Sequence, residues 1–574
     1  MKILTLHCDY IKFKALKKAV KNIDDTEAIK EAEVKEPLVV LTAVEKGDTE
    51  STIQDLIQSI EKTSKDVNTR TIVLYPYAHL SSNLASPSQA LEFLQKAESL
   101  LKKEKFNVTR APFGYYKAFE LKVKGHPLSE LSKEFKADSS SQETQGNVVV
   151  EEKYDPSQLL REISKTKLDT SKLKDNDHRI LGQKLDLFSF NEVSPGMVFW
   201  HDNGFYIHTK LKEFVTFLLN KYDYKIINTP QILDAKLFKI SGHWDHYRKN
   251  MFLTKYENRD FGVKPMNCPG AMLIYKTRSR SHKDLPIRFA EFGEDHRQEL
   301  SGVLAGLFRV IRFTQDDAHI FCTKEQIGDE IAHMLEMIKT VYKDTFGFNY
   351  SFELSTRPEK FMGEKKDWDS AEKVLEDVLK KSKAKFKINK GDGAFYGPKI
   401  DIHIKDSLGR EWQCATIQLD MQMPKRFELS YIGADGKEHT PFVIHRTILG
   451  SLERFIGVLL EHLNGVLPLW LSPRQIKVIS FTDRNQKACE NFVAELKKEI
   501  PGIRVKEDYE SETVQAKIRN AELMKTNYVV VIGDKEESSK TISVRPHGEK
   551  PKFNVNVSNF IEDLKKELSE PYKN

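Results

Sequence analysis

The sequence predicts a multidomain α+β chain, and three patterns carry that prediction. Its 574 residues exceed what one hydrophobic core organises, at ~100–200 residues per domain. Strand and helix signals alternate in residues 1–135 and again in 471–574. Between them, long alternating strands occur without a regular strand–helix–strand rhythm, which favours an antiparallel sheet with helices packed on it.

Residues 1–135 read as a small α/β unit. ILTLHCDYI and PLVVLTAV are strand-like, and STIQDLIQSIEKT is helical. TIVLYPYAHL is a further strand, SPSQALEFLQKAESLLKKE a capped amphipathic helix, and YYKAFELKVKG an alternating strand. ADSSSQETQGN is small and polar, a linker by composition, and residues 136–180 are assigned to it. In 181–470 the strands IDIHIKD, EWQCATIQLD and FELSYIG lie among helices such as LKEFVTFLLNKY and GSLERFIGVLLEHL. Residues 471–574 alternate strand and helix as a compact three-layer α/β appendage.

Composition excludes several classes. With 30% charged and 39% apolar residues, the chain is neither disordered nor a membrane protein. No run reaches the ~18 apolar residues of a membrane span. The opening MKILTLHCDYIKF reads as a buried strand and not as a signal peptide. Cys8, Cys268, Cys322, Cys414 and Cys489 are odd in number and scattered, which argues against a disulfide framework and for a cytoplasmic protein. A net charge of +6 permits a nucleic-acid partner without requiring one.

No G-x-x-x-x-G-K-[ST] loop is present, so ATP, if used, is held by side chains. In FGEDHRQELSGVLAGLFRVIRFTQDDAHIFC (292–322), Arg297 and Arg309 flank a loop containing Gly302 and Gly306. Two strands so joined could bring guanidinium forks onto one polyanion; a charged hairpin with solvated arginines is the plainer alternative. Arg454 lies among Leu452, Phe455 and Ile456 and needs a partner, either an acid or a phosphate. Cys268, His319 and His445 offer a thiol and two imidazoles, but their spacing matches no local zinc signature. His79, Tyr116, Lys117 and His126 cluster near two strands, where a solvated face is the bland reading.

Read together, KPMNCPG (264–270), FRVIRFTQDDAHIFC (308–322), GAFYGPKIDI (393–402), EWQCATIQLD (411–420) and IHRTILGSLERFIG (444–457) resemble threonyl-tRNA synthetases in order and spacing. GMVFWHDNG and GHWDHY add to the match, which covers essentially the whole chain. The resemblance implies a class II antiparallel core, homodimeric, with Pro230 at the subunit interface. It implies ATP-dependent activation of L-threonine with Mg²⁺, and transfer of the threonyl group to tRNA(Thr). Arg297 would hold the α-phosphate, and Arg309 and Arg454 the outer phosphates. Glu299 would read the adenine amino group, with Phe313 stacking on the ring opposite Arg454.

Cys268, His319 and His445 fall on the family's zinc ligands, one ion per chain, which would take the amino and hydroxyl groups of threonine. Asp317, Tyr396, Gln413 and Gln418 match residues around the amino acid, Lys399 one near the phosphates, and His243 one implicated in tRNA acylation. Residues 1–135 resemble the archaeal editing domain, which is similar to D-aminoacyl-tRNA deacylases, through AHLSS, PFGYYKAF and KGHPLSEL. His79, Tyr116, Lys117 and Glu130 fall on its functional positions. The C-terminal domain resembles an anticodon-binding module, with Glu536 and Arg545 at reading positions. Two departures stand out: Ala271 where the family often has histidine, and Ala78 where relatives can carry cysteine. A regulator that binds tRNA without charging it would be expected to lose a phosphate arginine or a zinc ligand. All six are present here.

Overall fold

The computed structural model describes residues 1–20, 25, 28–81, 83–135, 155–163, 173–406 and 409–573. They form two compact units, one within 1–153 and one within 154–574. The polar stretch ADSSSQETQGN lies outside the described residues. No helix among the described residues is long and apolar enough to cross a membrane.

Seven strands make one sheet in the first unit: β1 (Lys2–Lys18), β2 (Glu31–Lys35), β3 (Leu38–Ala43), β4 (Thr71–Pro76), β5 (Asn107–Arg110), β6 (Tyr115–Val123) and β7 (Glu130–Glu134). The long β1 is the spine, pairing antiparallel with β3 and β7 through its first half and with β2 and β6 through its second. β3, β4 and β5 run parallel. The run LVVLTA of β3 is buried throughout because both faces are covered. Leu38 and Val40 meet α1 (Glu50–Asp66) and α2 (Pro87–Lys103) through Ile53, Leu56, Leu94 and Leu101, while Val39 and Leu41 pack with Ile11, Phe13 and Tyr75 on the other side. Ser86 starts α2 by accepting the Gln89 N–H, with Pro87 in the first turn.

The second unit begins with a short helix, Pro156–Ile163, and continues with α3 (His178–Lys184) and α4 (Asp202–Lys221). Its main sheet comprises β8 (Lys225–Ile226), β9 (Ile287–His296), β10 (Arg312–Cys322), β11 (Asn349–Ser355), β12 (Phe386–Asn389), β13 (Lys399–Lys405), β14 (Glu411–Asp420) and β15 (Phe442–Ser451). The spatial order is β8-β9-β10-β15-β14-β13-β11-β12, antiparallel except for the two edge pairs. α4 and α7 (Leu452–His462; α5 and α6, among the helices between them, are placed below) cover one face, where Leu211, Phe214, Phe455 and Leu459 meet Ile320, Ile417 and Ile448. On the opposite face Phe289, Phe321 and Val443 pack with Met272 and Tyr275, and beside them the strands present polar side chains.

A register shift between Gln315 and Asp317 lets Asp316 turn inward, where its carboxylate accepts the N–H groups of Ile448, Leu449 and Gly450. Gly450 has φ +75°, and a Cβ there would stand 2.4 Å from the Cys414 carbonyl oxygen. The bulge directs β15 into α7.

Two expectations need correction. FELSYIG is not a long strand: Phe427 ends a short helix (Met423–Arg426), and only Tyr431–Ile432 pairs. Its period-two pattern arises because Phe427 and Leu429 are buried as turn residues, with Pro424 starting the helix upstream. The linker assigned to 136–180 also ends early, since His178 is buried and bonded to Glu461 of α7.

The C-terminal sheet comprises β16 (Ile476–Ser480), β17 (Val505–Asp508), β18 (Tyr528–Ile532), β19 (Thr541–Pro546) and β20 (Lys552–Asn556), in the order β17-β16-β18-β19-β20. α8 (Gln486–Glu499) and α11 (Val557–Ser569) cover one face, and α9 (Val514–Leu523) covers the other; α10 (Asp534–Ser539) precedes β19. The three layers are those expected.

Candidate functional site

On the polar face of the main sheet, His319 of β10 and His445 of β15 are direct cross-strand partners, with ring centroids 4.9 Å apart. Cys268 begins α6 (Cys268–Lys276) beside them. One ligand atom from each of the three lies within 4.8 Å of the others, and all three residues are buried. His319 Nε2 is buried without a hydrogen-bond partner, a cost of ~1–3 kcal/mol if nothing binds it. His445 Nε2 lies 2.9 Å from Asp420 Oδ2, the kind of carboxylate that orients a ligating imidazole. One thiol, two imidazoles and an orphaned nitrogen fit the donor set of zinc. Burial pushes the Cys268 thiol well up and holds His319 well below its ordinary value. Metal binding would therefore expel the thiol proton.

Asp317 shares a face with His319 and accepts from Asn267 Nδ2 at 3.2 Å; the same amide lies 3.3 Å from Asp295 Oδ2. Gly293 admits that amide, because a Cβ there would meet Asn267 Oδ1 at 2.1 Å. The Tyr396 hydroxyl donates to Gln418, and Gln413 Nε2 donates to Asp401 Oδ1 at 2.6 Å. Lys399 is bound to Asp401 and, at 3.1 Å, to Asp392. His243, in α5 (His243–Tyr247), is fully buried with Nδ1 2.7 Å from Ser241 Oγ and Nε2 unpartnered. Burial, helped by His445 and Arg297, brings its pKa down to about 3, so the ring is neutral.

Arg454 Nε donates to the Phe308 carbonyl at 3.0 Å and Nη1 to the Gln413 carbonyl at 3.2 Å. Neither acceptor is an anion. Burial and the neighbouring Arg297 and Arg309 lower its pKa. Arg309 pairs with Glu299 at 2.9 Å, and Arg297 Nε reaches the Pro265 carbonyl at 3.3 Å. The Arg297 guanidinium lies 5.0 Å from the Phe313 ring. The Glu299 carboxylate, expected to read a base, is engaged by Arg309. Three cations gathered around fewer acids form a site for a polyanion.

In the first unit a cavity of about 480 Å³ is lined by His79, Tyr116 and Lys117, with Tyr75, Tyr77 and Phe119. Lys117 Nζ donates to the Pro112 carbonyl at 2.9 Å and lies 4.9 Å from the Tyr75 ring. Burial brings its pKa down to about 8. Glu130 does not line this cavity: it lies on β7 opposite Leu6 of β1, with its side chain exposed. That corrects the expectation placing it with the other three.

In the C-terminal sheet, Glu536 accepts from the Gly533 N–H at 3.1 Å and the Ser543 hydroxyl at 2.7 Å. Ser543 and Arg545 share a face of β19, and Arg545 Nε lies 3.3 Å from Glu522 Oε1. Sequence reasoning missed Asp420, Asn267, Asp295 and Asp401. Asp420 and Asp401 lie within quoted motifs, but nothing local shows which carboxylate meets which partner.

Three family models match in chain order. They are the archaea-specific editing domain of threonyl-tRNA synthetase over residues 1–135, the class II core domain of the G, H, P, S and T synthetases over 252–463, and an anticodon-binding domain over 475–567. A crystal structure of the RNA-binding domain of threonyl-tRNA synthetase from Cryptosporidium parvum is 42% identical with a TM-score of 0.66, covering 68% of this chain and 98% of that one. The chain belongs to the threonyl-tRNA synthetase family.

ThrRS-1 from Aeropyrum pernix is 31% identical with a TM-score of 0.61, covering 69% of this chain and 96% of that one. The threonine–tRNA ligase of Clostridium tetani is 49% identical over 395 residues, 69% of this chain. The alignment spans 61% of that ligase's length. That of Clostridium kluyveri is 50% identical over 397 residues and is spanned for 62% of its length. A prolyl-tRNA synthetase from Cryptosporidium parvum, 17% identical with a TM-score of 0.54, shares the fold.

Proposed function

We propose that this chain is a threonine–tRNA ligase that activates L-threonine with ATP, charges tRNA(Thr) and hydrolyses mischarged seryl-tRNA(Thr). The observation that carries the reading is the buried Cys268–His319–His445 triad, with an orphaned nitrogen, beside three arginines. We assign 1–135 to editing, 181–470 with the preceding α3 to catalysis, and 471–574 to anticodon binding.

Cys268, His319 and His445 would hold zinc, which when bound offers a Lewis-acidic position for the amino and hydroxyl groups of threonine. Asp317, held by Asn267, faces the amino group; Tyr396, Gln413 and Gln418 shape the rest of the pocket. The threonine carboxylate attacks the α-phosphorus of ATP, forming a P–O bond as pyrophosphate leaves. Arg297, Arg309 and Arg454 neutralise the charge that spreads onto the phosphate oxygens, a role shared with ATP-bound Mg²⁺. Lys399 is released from its acids when the phosphates arrive. His243, neutral and with Nε2 unpartnered, would accept a hydrogen bond from the tRNA hydroxyl and orient it during transfer.

Ile226 and Ile232 flank Pro230 in sequence and all three are exposed, as are Leu253 and Tyr256 in the sheet that holds Ile232, and this exposed apolar surface supports a homodimer. Free buried thiols and the absence of a spanning helix among the described residues agree with a cytoplasmic setting.

Serine lacks only one methyl of threonine, and such a difference yields about 1–3 kcal/mol, or roughly 10–200-fold. Proofreading follows from that ceiling. Lys117→Met is expected to charge threonine normally and to accumulate seryl-tRNA(Thr). Because the Lys117 pKa is about 8, its ammonium is present at neutral pH, and editing should fall as pH rises through that value. A Lys117→Met enzyme that clears seryl-tRNA as fast as wild type overturns the assignment. For the C-terminal domain, Arg545→Ala is expected to slow tRNA charging by roughly tenfold, a loss of about 1.4 kcal/mol, with pyrophosphate exchange unchanged. Equal damage to both reactions would contradict it.

A further inference from the structure

His178 lies outside the residues so far given a role, yet every polar atom of its ring is used. Asp177, His178 and Glu461 bring three potential metal ligands together, but their lone pairs are committed. Asp177 is paired with Arg179 at 2.8 Å. Glu461 Oε1 accepts the His178 backbone N–H at 3.0 Å and lies 2.6 Å from His178 Nδ1, while its Oε2 is engaged by Arg410. His178 Nε2 accepts the backbone N–H of Leu307 at 3.0 Å. A ring nitrogen that accepts an N–H carries no proton, so the ring is the neutral Nδ1–H tautomer and donates to Glu461. This is a wired contact and not a vacant metal site.

Its place in the loop gives it meaning. Leu307 immediately precedes Phe308, whose carbonyl holds Arg454 Nε at 3.0 Å, and lies two residues before Arg309. Glu461 and Arg454 both lie on α7. The contacts therefore close a circuit: Glu461 to His178, His178 to Leu307, Phe308 to Arg454, and back along the helix. The Phe308 ring is clasped by His178 at 4.1 Å and Trp412 at 4.2 Å between centroids. Gly306 has φ +54°, and a Cβ there would stand 2.3 Å from His178 Nε2. Only glycine at 306 admits the imidazole to the Leu307 amide.

We propose that His178 is a positioning residue for nucleotide binding, fixing the 297–311 loop so that Arg309 and Arg454 meet the phosphates already aligned. The proposal rests on reading the site as an ATP-dependent ligase centre. A loop held beforehand does not draw on nucleotide binding energy to order itself, so the effect falls on ATP and not on threonine.

Two amide variants separate the ring nitrogens. His178→Asn keeps a donor near Nδ1 for Glu461 and removes the acceptor for Leu307; His178→Gln puts a carbonyl oxygen near Nε2. In threonine-dependent pyrophosphate exchange, His178→Asn is expected to raise the KM for ATP by roughly 5–10-fold, the worth of one hydrogen bond. The KM for threonine and the zinc content should stay at wild-type values, and His178→Gln should recover most of the loss. An unchanged KM for ATP in His178→Asn, equal rises in both KM values, or no recovery in His178→Gln overturns the proposal. Hydrogen–deuterium exchange on the wild-type chain provides a readout that needs no variant. The peptide containing Leu307 should be protected without ATP; exchange there at the rate of a free loop also overturns the proposal. A wild-type chain with no threonine-dependent exchange would refute the ligase reading, while Leu307 protection would still decide the contact.

Discussion

Cys268→Ala is expected to lose its zinc and to reduce threonine-dependent pyrophosphate exchange to background, and His445→Ala should do the same. The reason lies in how the three donors are presented. His319 and His445 are fixed by strand pairing, and Asp420 holds one imidazole in place, so the protein contributes a rigid half of a coordination shell. Removing one donor leaves two ligands in a buried pocket, too few for a stable site. Without the metal the pocket is a desolvated cavity, which separates threonine from its isostere valine only weakly, by roughly 10²-fold at best. Metal analysis should give about one zinc per wild-type chain. A zinc-free preparation with full activity would sink this part of the account.

Arg297→Ala and Arg454→Ala are each expected to slow adenylate formation by about 3–4 kcal/mol of barrier, roughly 10²–10³-fold in kcat. Arg454 is held by two neutral carbonyl oxygens, so its charge is available to the substrate and is not spent on an internal ion pair. Arg297 is similarly placed against a carbonyl and two aromatic faces. Because both would act on one triphosphate, Arg297 at the α-phosphate and Arg454 at the outer ones, the double variant should lose less than the sum of the singles. Pyrophosphate exchange near the wild-type rate in either single variant would reject the assignment. Arg309 should show a smaller effect, since it begins paired with Glu299.

Much of this site was legible because its residues fall in long motifs. The Cys268–His319–His445 triad is an instructive case. Spacing alone argued against it, yet β10 and β15 place His319 and His445 as neighbours across 126 residues of chain. The motif resemblance supplied what local spacing could not. Illegible were the residues that hold others in place: Asp420 behind His445, Asn267 between two carboxylates, and His178 behind the loop at Leu307. Each reaches a partner at least 25 residues away through a hydrogen bond, and no periodicity announces such a bond. Glu130 failed in the opposite way. Its motif pointed to the editing cavity, but antiparallel pairing of β7 with β1 turns its side chain to solvent. FELSYIG failed because alternating burial in a turn imitates the period of a strand.

ATP–pyrophosphate exchange by the full chain, run in parallel with threonine, serine, valine and proline, tests the central claim most directly. The account predicts rapid exchange with threonine, weaker exchange with serine, and background with valine and proline, in a preparation holding about one zinc per chain. Background exchange with threonine, or a preference for proline or valine, would contradict it.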